Sequence, residues 1–386
     1  MSVELVSSGW QVISAALMFL VGGVASVRFG TLLHTSNKRA LGLYLWHTLF
    51  CFVYIFYVIN SGGDALTYYR ASLSGNVDFS FGTAAVETIT TFFSTVLGLS
   101  LLGTFLGYNL IGALGLLAFD AALQSTTADR TPLVRRFATL IVVLPSVSFW
   151  SSAIGKDSVA LLAAGLALWA ALALKRRAWL MLAAIALMLL VRPHIAALMV
   201  GALAVSMISQ PRIALAERIA IGGIALVLAV VLVPMAMTAS GLRSNAGVAD
   251  VTEYIDNRQN SNMEGGGGVD ISHMALPLKL FTYLFRPMPF EAHNLPALAA
   301  SIDNVALLVL MLAGLGQMLR RRTPTGPENR AFLWLYALSA WLLLALTTAN
   351  LGISVRQKWM FAPMLIFLMI SVMGHRTGAR PERRDG

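Results

Sequence analysis

The chain consists of long apolar runs separated by short polar turns. A helix that crosses a bilayer needs about 20 apolar residues, with a range of about 17 to 25. Four short runs, 137–150, 158–174, 178–191 and 195–209, come in pairs around a polar turn, so we expect tilted or broken helices with recessed turns. The pattern predicts eleven candidate spans in all: 9–29, 40–59, 99–121, 137–150, 158–174, 178–191, 195–209, 217–238, 297–318, 331–349 and 358–374.

Composition supports an all-α, polytopic membrane protein. Of 386 residues, 57% are hydrophobic and only 12% are charged, whereas a soluble domain carries about 25% charged residues. We expect one transmembrane domain over residues 1–386, with about 11 transmembrane helices (9–12), an outer loop at 60–98 and a long outer loop at 239–296. The single Cys51 excludes an intramolecular disulfide and any zinc site built from several cysteines.

The placement of the cations predicts the orientation. Most of the 28 Lys and Arg residues fall in alternate loops and in the C-terminal tail, and the positive-inside rule assigns these to the cytoplasm. The N-terminus is then outside and the C-terminus inside. The cytoplasmic groups are Arg28, Lys38, Arg39; Arg130, Arg135, Arg136; Lys175, Arg176, Arg177; Arg212, Arg218; Arg320, Arg321, Arg322, Arg330; and Arg376, Arg380, Arg383, Arg384.

Two segments are predicted to lie at the membrane surface. In 81–98, one face of a helix carries Val86, Ile89, Phe93 and Val96, and the other carries polar Glu87, Thr90 and Ser94. A second amphipathic stretch is Leu276–Phe285. Within the long outer loop, the sequence NRQNSNMEGGGG is polar and rich in glycine, so we expect it to be mobile.

The remaining cations lie in outer segments, where the positive-inside rule disfavours them. Several occupy tight turns directly beside spans, so they could converge in a cleft of low dielectric and bind a phosphate or diphosphate. The alternative is that they reach the outer headgroups or pair with local carboxylates. They are Arg70, Lys156, Arg192, Arg243, Arg258, Lys279, Arg286, Arg356 and Lys358.

The first outer loop combines a carboxylate with aromatic rings. Asp64 is followed by Tyr68, Tyr69 and Arg70, an arrangement that suits a sugar because the acid accepts hydroxyl hydrogen bonds and rings stack on C–H faces. Asp64 is also a candidate general base for an acceptor hydroxyl. The alternative is an ordinary loop carboxylate with interfacial tyrosines.

The turn FWSSAIGKDS, residues 149–158, carries an adjacent cation and anion. Lys156 is a candidate phosphate ligand, and Asp157 orients it, binds a sugar or caps the following helix. The N-terminus of that helix favours an anion in its own right. Trp150 is a candidate sugar platform or an interfacial anchor.

Two further turns hold candidate substrate-binding groups. Arg192-Pro193-His194 divides the 178–209 region, and His194 could donate a proton or a hydrogen bond. Later, Arg286, Glu291 and His293 precede a span. Because these groups lack metal-ligand spacing, we expect no metal cofactor, with a divalent metal as the alternative.

Two acids fall within predicted spans. Asp120 lies near the cytoplasmic end of its span, and Asp303 lies early in 297–318 beside Asn304. Either is a candidate proton relay in a transporter, and Asp303 could equally face the outer site.

The layout resembles that of Wzy-type polymerases and the EpsG-like group, which are membrane proteins of exopolysaccharide and O-antigen synthesis within the GT-C glycosyltransferases. The resemblance rests on the polytopic layout and on Asp64 with Tyr68; Pro145, Phe149, Trp150, Ser151, Gly155, Lys156, Asp157 and Ser158; Arg192; and Arg356. It implies transfer of a glycan from a polyprenyl-diphosphate-linked oligosaccharide to an acceptor glycan at the periplasmic face of the bacterial inner membrane. It also implies chain-length regulator or export proteins as partners besides membrane lipid, and no nucleic acid. Metal-dependent GT-C enzymes carry a pair of acids in the first loop, which this sequence lacks.

Resemblance and residues together predict a mechanism. Arg192, Arg356 and Lys156 neutralise the leaving diphosphate, and Asp64 accepts the proton of the acceptor, with Asp157, Glu291 and His194 as alternatives. The residues expected to bind substrate are Tyr68, Tyr69, Arg70, Trp150, His194, Arg286, Glu291, His293 and Lys358. Two other classes remain: a transporter or flippase for an anionic or lipid-linked saccharide, and a structural subunit of an export complex.

Overall fold

The computed structural model describes residues 4–74, 79–209, 248–263, 267–292, 294–320 and 329–374, with short pieces between 215 and 228. Over these residues the chain is helical and forms no strand, so the all-α class is confirmed. The helices are α1 (Gly9–Leu32), α2 (Asn37–Ser61), α3 (Asp64–Leu73), α4 (Thr83–Thr91), α5 (Leu101–Thr127), α6 (Pro132–Val142), α7 (Pro145–Ser151), α8 (Lys156–Ala171), α9 (Leu174–Val191), α10 (Pro193–Ile208), α11 (Val248–Met263), α12 (Leu276–Phe285), α13 (Leu295–Leu319), α14 (Arg330–Thr347), α15 (Leu351–Gln357) and α16 (Ala362–Ile370).

Local sequence explains where many helices begin. The side chains of Ser8, Ser100 and Asn294 cap α1, α5 and α13 by accepting a backbone N–H three residues on. Proline opens α6, α7 and α10, where its missing N–H costs nothing and its fixed φ suits the first turn.

The core is the contact between α5 and α8, which are buried on nearly all sides. The backbones touch because glycines face each other. A Cβ on Gly165 would lie 2.4 Å from the Gly115 carbonyl oxygen, and one on Gly115 would lie 2.6 Å from the Leu162 nitrogen. Small residues at such a contact let helices pack closely in a membrane, where apolar side chains gain little from meeting one another.

Long apolar helices surround this core. Among the described residues, six helical segments are long and apolar enough to cross a membrane, counting α5 itself and α6 with α7 as one segment, and the bent pair Leu351–Met360 and Ala362–Ile370 makes a seventh if it counts as one span. The outer faces of α1 and α2 expose large apolar side chains, Val24 and Phe56 among them. Apolar surface of this extent is typical of lipid contact.

The sequence predicts eleven spans, whereas the described residues contain six or seven segments that could cross a membrane. Most of the predicted span 217–238 lies outside the described residues. The segments predicted at 158–174, 178–191 and 195–209 form α8, α9 and α10, none of which is among those six. α8 has 16 residues, which is about 24 Å of helix and shorter than a bilayer core of about 30 Å.

Both predicted interruptions are present: α7 ends at Ser151 before α8 begins at Lys156, and the 178–209 region divides at Arg192, whose φ of −145° leaves the helical range. Two further breaks were not predicted. α6 and α7 are separated at Val143 and Leu144, inside the run 137–150. The last span bends by 64° between Leu351–Met360 and Ala362–Ile370. A residue before proline disfavours helical backbone, which explains the breaks at Leu144 and Arg192.

The helix expected over 81–98 forms as α4 and a π-helical turn, Phe92–Val96, but its faces differ from the prediction. Thr90 and Ser94, expected on the polar face, are buried, and their hydroxyls bond Tyr108 at 2.9 Å and Ser72 at 2.8 Å. On the face expected to be apolar, Val96 is 69% exposed, which is compatible with the expected bilayer contact, whereas Val86 and Phe93 are buried within the protein. The amphipathic pattern did not predict the burial of Thr90 and Ser94 because their hydroxyls find hydrogen-bond partners inside the protein.

The outer-loop sequence NRQNSNM is the end of helix α11 rather than an irregular stretch. Gln259 and Asn262 donate to the carbonyls of Leu346 and Thr347 at 2.8 and 3.0 Å, and Asn350 donates to the Asn262 carbonyl at 3.0 Å. The expectation of mobility is therefore wrong for 257–263, because these amides dock the helix on the end of α14. Residues 264–266 lie outside the described residues.

The close approach of α5 and α8 predicts the effect of one methyl group. In Gly165→Ala the new Cβ meets backbone, so α8 must shift, and overpacking of this kind costs about 1–3 kcal/mol. The matched control is Gly201→Ala on α10, where a Cβ meets nothing within 4 Å. We expect the thermal midpoint of the purified protein to fall for Gly165→Ala and to stay or rise for Gly201→Ala. Equal midpoints would contradict the packing.

Candidate functional site

Four segments that are distant in sequence meet at one end of the bundle. They are the start of α3, the start of α8, the break between α9 and α10, and α15. They bring together Asp64, Lys156, Asp157, Arg192 and Arg356, the five residues predicted to carry catalysis. We call these five the charged cluster.

Asp157 lies at the centre of the charged cluster. The residue is only 8% exposed, and its carboxylate accepts a hydrogen bond from Arg356 Nε at 2.9 Å. Arg192 Nη2 lies 3.5 Å from its other oxygen. The two arginines come from the α9–α10 break and from α15, so this one carboxylate links both segments to the first turn of α8.

Asp64 is the solvent-facing carboxylate of the charged cluster. It begins α3, its side chain is 62% exposed, and its Oδ2 lies 3.4 Å from Arg356 Nη1. Arg356 thus bridges a buried and an exposed carboxylate.

Lys156 is half-buried, beside the backbone of Gly82. Arg192, Asp157, Asp64 and Arg356 are all close enough to act on its charge. The cations of the charged cluster outnumber its carboxylates three to two, and Arg192 Nε is buried without a hydrogen-bond partner among the described residues. A site with surplus positive charge and an unused buried donor is suited to bind an anion.

An aromatic wall adjoins the charged cluster. The Arg356 guanidinium carbon lies 5.1 Å from the centre of the Trp150 ring. Tyr54 and Phe149 pack against that ring at centroid distances of 5.9 and 5.0 Å, and Tyr57 lies 5.7 Å from Phe149. A cation over an aromatic face is stabilised by the ring quadrupole. Tyr54 and Tyr57 are missing from the residues predicted from sequence. Their spacing of three residues places them on one face of α2, and this spacing was the sequence feature that could have identified them.

The other residues of α3 divide between site and core. Tyr68 lies near Asp64 and Arg356; burial raises the pKa of its hydroxyl, and the Asp64 carboxylate raises this pKa further. Tyr68 therefore remains a hydrogen-bond donor at neutral pH. Tyr69 is buried in the hydrophobic core and Arg70 is exposed. The structure brings only Tyr68 of this group beside the charged cluster.

His194 lies at the edge of the charged cluster, where Arg192, Lys156 and Arg258 of α11 act on it electrostatically. Lys358, expected at the site, is instead wholly buried and donates a hydrogen bond to Asn304. Lys358 follows Arg356 by two residues, and side chains two apart on a helix point in nearly opposite directions, so Lys358 faces the interior while Arg356 faces the site.

Arg286 and Glu291 form a second polar group, separate from the charged cluster. Arg286 Nε donates to Glu291 Oε1 at 2.8 Å, and the Met288 N–H donates to Glu291 Oε2 at 2.7 Å. His293, predicted beside them, lies outside the described residues. Over the described part of the chain, no three His, Cys, Asp or Glu side chains group as metal ligands would.

A cleft of about 1110 Å³ joins this polar group to the aromatic wall. It lies between α2 and the start of α13, with α7 beneath it, and its rim includes the exposed side chains of Phe290 and Leu295. Trp150 separates the cleft from the charged cluster. The lining residues include Phe50, Val53, Tyr57, Ser146, Phe149, Trp150, Arg286, Glu291, Asn294, Ala300, Asn350 and Val355.

The position of the aromatic wall depends on how α7 is held. Ser151 Oγ at its end lies 2.9 Å from His47 Nε2, and His47 Nδ1 lies 2.7 Å from Asn109 Oδ1. Gly112 of α5 makes room, since a Cβ there would lie 2.0 Å from the Ser151 carbonyl oxygen. These contacts connect α7 with α2 and α5.

Comparison of the chain with protein-family models, curated proteins and solved structures finds no match.

The burial of Asp157 predicts an asymmetry between the two carboxylates. Asp157→Asn removes the charge that two partly buried arginines share, and breaking a buried pair in this way costs about 3–5 kcal/mol. Asp64→Asn, at an exposed pair, should cost no more than about 1 kcal/mol. Thermal unfolding of the purified variants should therefore show a large loss only for Asp157→Asn. Similar losses for both would contradict a central role for Asp157.

Proposed function

We propose that this protein is a membrane glycosyltransferase of the polysaccharide polymerase type. It would transfer a glycan from a polyprenyl-diphosphate-linked donor to an acceptor glycan at the outer face of the bacterial inner membrane. The observation that carries the proposal is the charged cluster, in which three cations from separate segments converge beside an aromatic-walled cleft. Such a pairing of charge and apolar space suits a lipid-linked diphosphate.

The cations would bind the diphosphate of the donor. Arg192 and Arg356 can each offer two parallel N–H donors to phosphate oxygens, and Lys156 adds a point charge. Arg192 Nε has no hydrogen-bond partner among the described residues, so it is available to a ligand. As the bond from the anomeric carbon to the diphosphate breaks, charge grows on the leaving oxygen, and donors already in place there stabilise the transition state.

Asp64 is the best candidate for the base. It is exposed and lies beside Arg356, so an acceptor hydroxyl can reach it while the diphosphate is bound. The hydroxyl oxygen bonds to the anomeric carbon, its proton passes to Asp64, and the lipid diphosphate leaves.

The alternative bases are poorer candidates. Asp157 is bound by two arginines, and Glu291 accepts hydrogen bonds from Arg286 and from the Met288 backbone. Their side chains are 7% and 20% exposed, so an acceptor hydroxyl reaches them less easily than it reaches Asp64, whose side chain is 62% exposed. Burial lowers the pKa of the His194 ring, and the nearby cations Arg192, Arg258 and Lys156 lower this pKa further, so the ring is a weak base.

The cleft would hold the rest of the substrate. Trp150, Phe149 and Tyr57 offer flat faces for sugar rings, while Arg286, Glu291 and Asn350 offer hydrogen-bond partners for hydroxyls. The exposed apolar rim at Phe290 and Leu295 would face the bilayer and admit the lipid. The amphipathic α4 and α12 lie at the same outer level in the proposed topology.

The proposed topology places the N-terminus outside, the C-terminus inside and the charged cluster in the periplasm. Helix direction supports it. The cluster lies at the C-terminal ends of α2, α7 and α9 and at the N-terminal end of α8, whereas Arg39 and Arg177 lie at the opposite ends of α2 and α9. About eleven spans, including 217–238, would complete it.

The alternative is a transporter or flippase for a lipid-linked saccharide, in which Asp120 or Asp303 would relay protons. Asp120 is held by Arg39 through two hydrogen bonds of 2.7 Å, and Arg39 also bonds Thr139 at 3.1 Å. Asp303 accepts the Ser146 N–H at 2.6 Å. Both acids thus have partners that fix neighbouring helices, which favours structural roles over proton relay.

Reconstitution tests the proposed activity. Protein in sealed vesicles, supplied with a polyprenyl-diphosphate-linked oligosaccharide, should lengthen the glycan and release lipid diphosphate when acceptor is present on the face that carries the N-terminus. Arg192→Ala and Arg356→Ala should each lower the rate by about 100-fold or more, as loss of one preorganised donor does. Arg176→Ala, an exposed cation at the opposite end of the bundle, is the control and should keep the full rate.

Three outcomes would contradict this function. Movement of labelled lipid across the bilayer without product would favour the flippase. Full activity in both arginine variants would remove the charged cluster from catalysis. Product formed only with acceptor on the opposite face would overturn the topology.

A further inference from the structure

Beside the candidate site lies a buried set of polar side chains, distinct from Arg286 and Glu291, that the proposed chemistry does not use. Asp303, Asn304 and Lys358 are each wholly buried. Resting on the proposed function, we infer that these three are positioning residues, which set the Trp150-bearing helix and the Arg356-bearing helix against the cleft so that a diphosphate can be bound.

The first contact concerns the start of α7. Asp303 of α13 accepts the backbone N–H of Ser146 at 2.6 Å, and Ser146 is the second residue of α7. A carboxylate on the free N–H groups of a helix start satisfies those donors and interacts well with the helix dipole. Asp303 therefore fixes the helix that ends in Trp150 and Ser151.

The second contact concerns the segment after Arg356. Lys358 donates from Nζ to Asn304 Oδ1, and the neighbouring Trp359 donates from Nε1 to Ser146 Oγ at 3.2 Å. The turn that follows α15 is thus bonded to both α13 and α7. Arg356 lies only two residues before Lys358, so the position of this turn determines the position of the Arg356 guanidinium.

The third contact reaches the other end of the cleft. Asn304 Nδ2 donates to the Pro287 carbonyl at 2.9 Å, and Pro287 directly follows Arg286. The adjacent residues Asp303 and Asn304 of α13 therefore contact three parts of the site. They reach the helix of Trp150 through Ser146, the segment of Arg356 through Lys358, and the segment of Arg286 through Pro287. Because one helix contacts all three parts, it can fix the distances between Trp150, Arg356 and Arg286.

The chemistry of Lys358 argues against a purely stabilising role. No carboxylate lies within 4.0 Å of its ammonium in the part of the chain that the structure describes, although Asp303 acts on it electrostatically. Burying a charge without a close counter-ion is costly, and apolar residues of similar volume are often as stable or more stable at such positions. A cation here is therefore better explained by the geometry that it imposes than by stability.

The test separates geometry from stability. The double variant Asn304→Leu with Lys358→Met replaces the polar pair with apolar side chains of similar size, and Ser301→Ala is the control. Ser301 is a wholly buried residue of the same helix, and within the described part of the chain its hydroxyl bonds only the Leu298 carbonyl of its own turn. Each protein is purified in lipid nanodiscs and titrated with farnesyl diphosphate, and farnesol serves as the uncharged probe.

We expect the double variant to bind farnesyl diphosphate about 10- to 100-fold more weakly, as loss of an outer partner of a ligand-binding group does. Ser301→Ala should bind like the wild type. In an Arg356→Ala background the double variant should cause no further loss, because residues that act through one another are not additive. Unchanged affinity, or a loss that persists in full without Arg356, would overturn the inference.

Hydrogen–deuterium exchange gives a second measurement that needs no ligand. The double variant should exchange faster over 351–360, and Asp303→Ala should exchange faster over 145–151, while 101–127 stays protected in both. Unchanged exchange in these two segments, or a loss of protection throughout, would overturn the inference. If wild-type protein fails to bind the diphosphate, the proposed function fails, and the exchange pattern still decides whether these residues position α7 and α15.

Discussion

The buried carboxylate of Asp157 is the interaction on which the site depends. Arg192 and Arg356 sit at helix ends from different parts of the chain, and two guanidinium groups would repel each other if no anion lay between them. Asp157 supplies that anion at the first turn of α8, where both arginines approach it. Because α8 is packed against α5 through Gly115 and Gly165, the carboxylate has a rigid support.

This arrangement also explains why the helices are broken where they are. A continuous helix satisfies its own backbone and presents side chains only from its flank. The interruption between α7 and α8 and the break at Arg192 present helix ends within the bundle instead, and these ends carry Lys156, Asp157 and Arg192. Irregular backbone at membrane depth is tolerated where it is buried in protein or lines a cavity.

Sequence patterns were sufficient for the all-helical class, for the interruptions at 149–158 and at Arg192, and for the five charged residues that meet. The signal was a set of cations in turns that the charge pattern assigns to the outer face, and Pro193 marked the break at Arg192. Sequence could not distinguish Lys358 from Arg356, because which of these two side chains faces the interior depends on how the segment packs against α13 and α7. Nor did it predict the faces of α4, because Thr90 and Ser94 found hydroxyl partners in the core. The docking of α11 depended on free carbonyls at the end of α14, which no local pattern reveals.

The central claim is that the charged cluster binds the diphosphate of a lipid-linked glycan. An experimental structure of the protein with a non-hydrolysable lipid diphosphonate bound tests this most directly. We expect both phosphonate groups within hydrogen-bond distance of Arg192, Arg356 and Lys156, with the lipid chain leaving through the cleft past Trp150. Phosphonate groups bound only at Arg286, or only at the opposite end of the bundle near Arg39 and Arg177, would contradict the account.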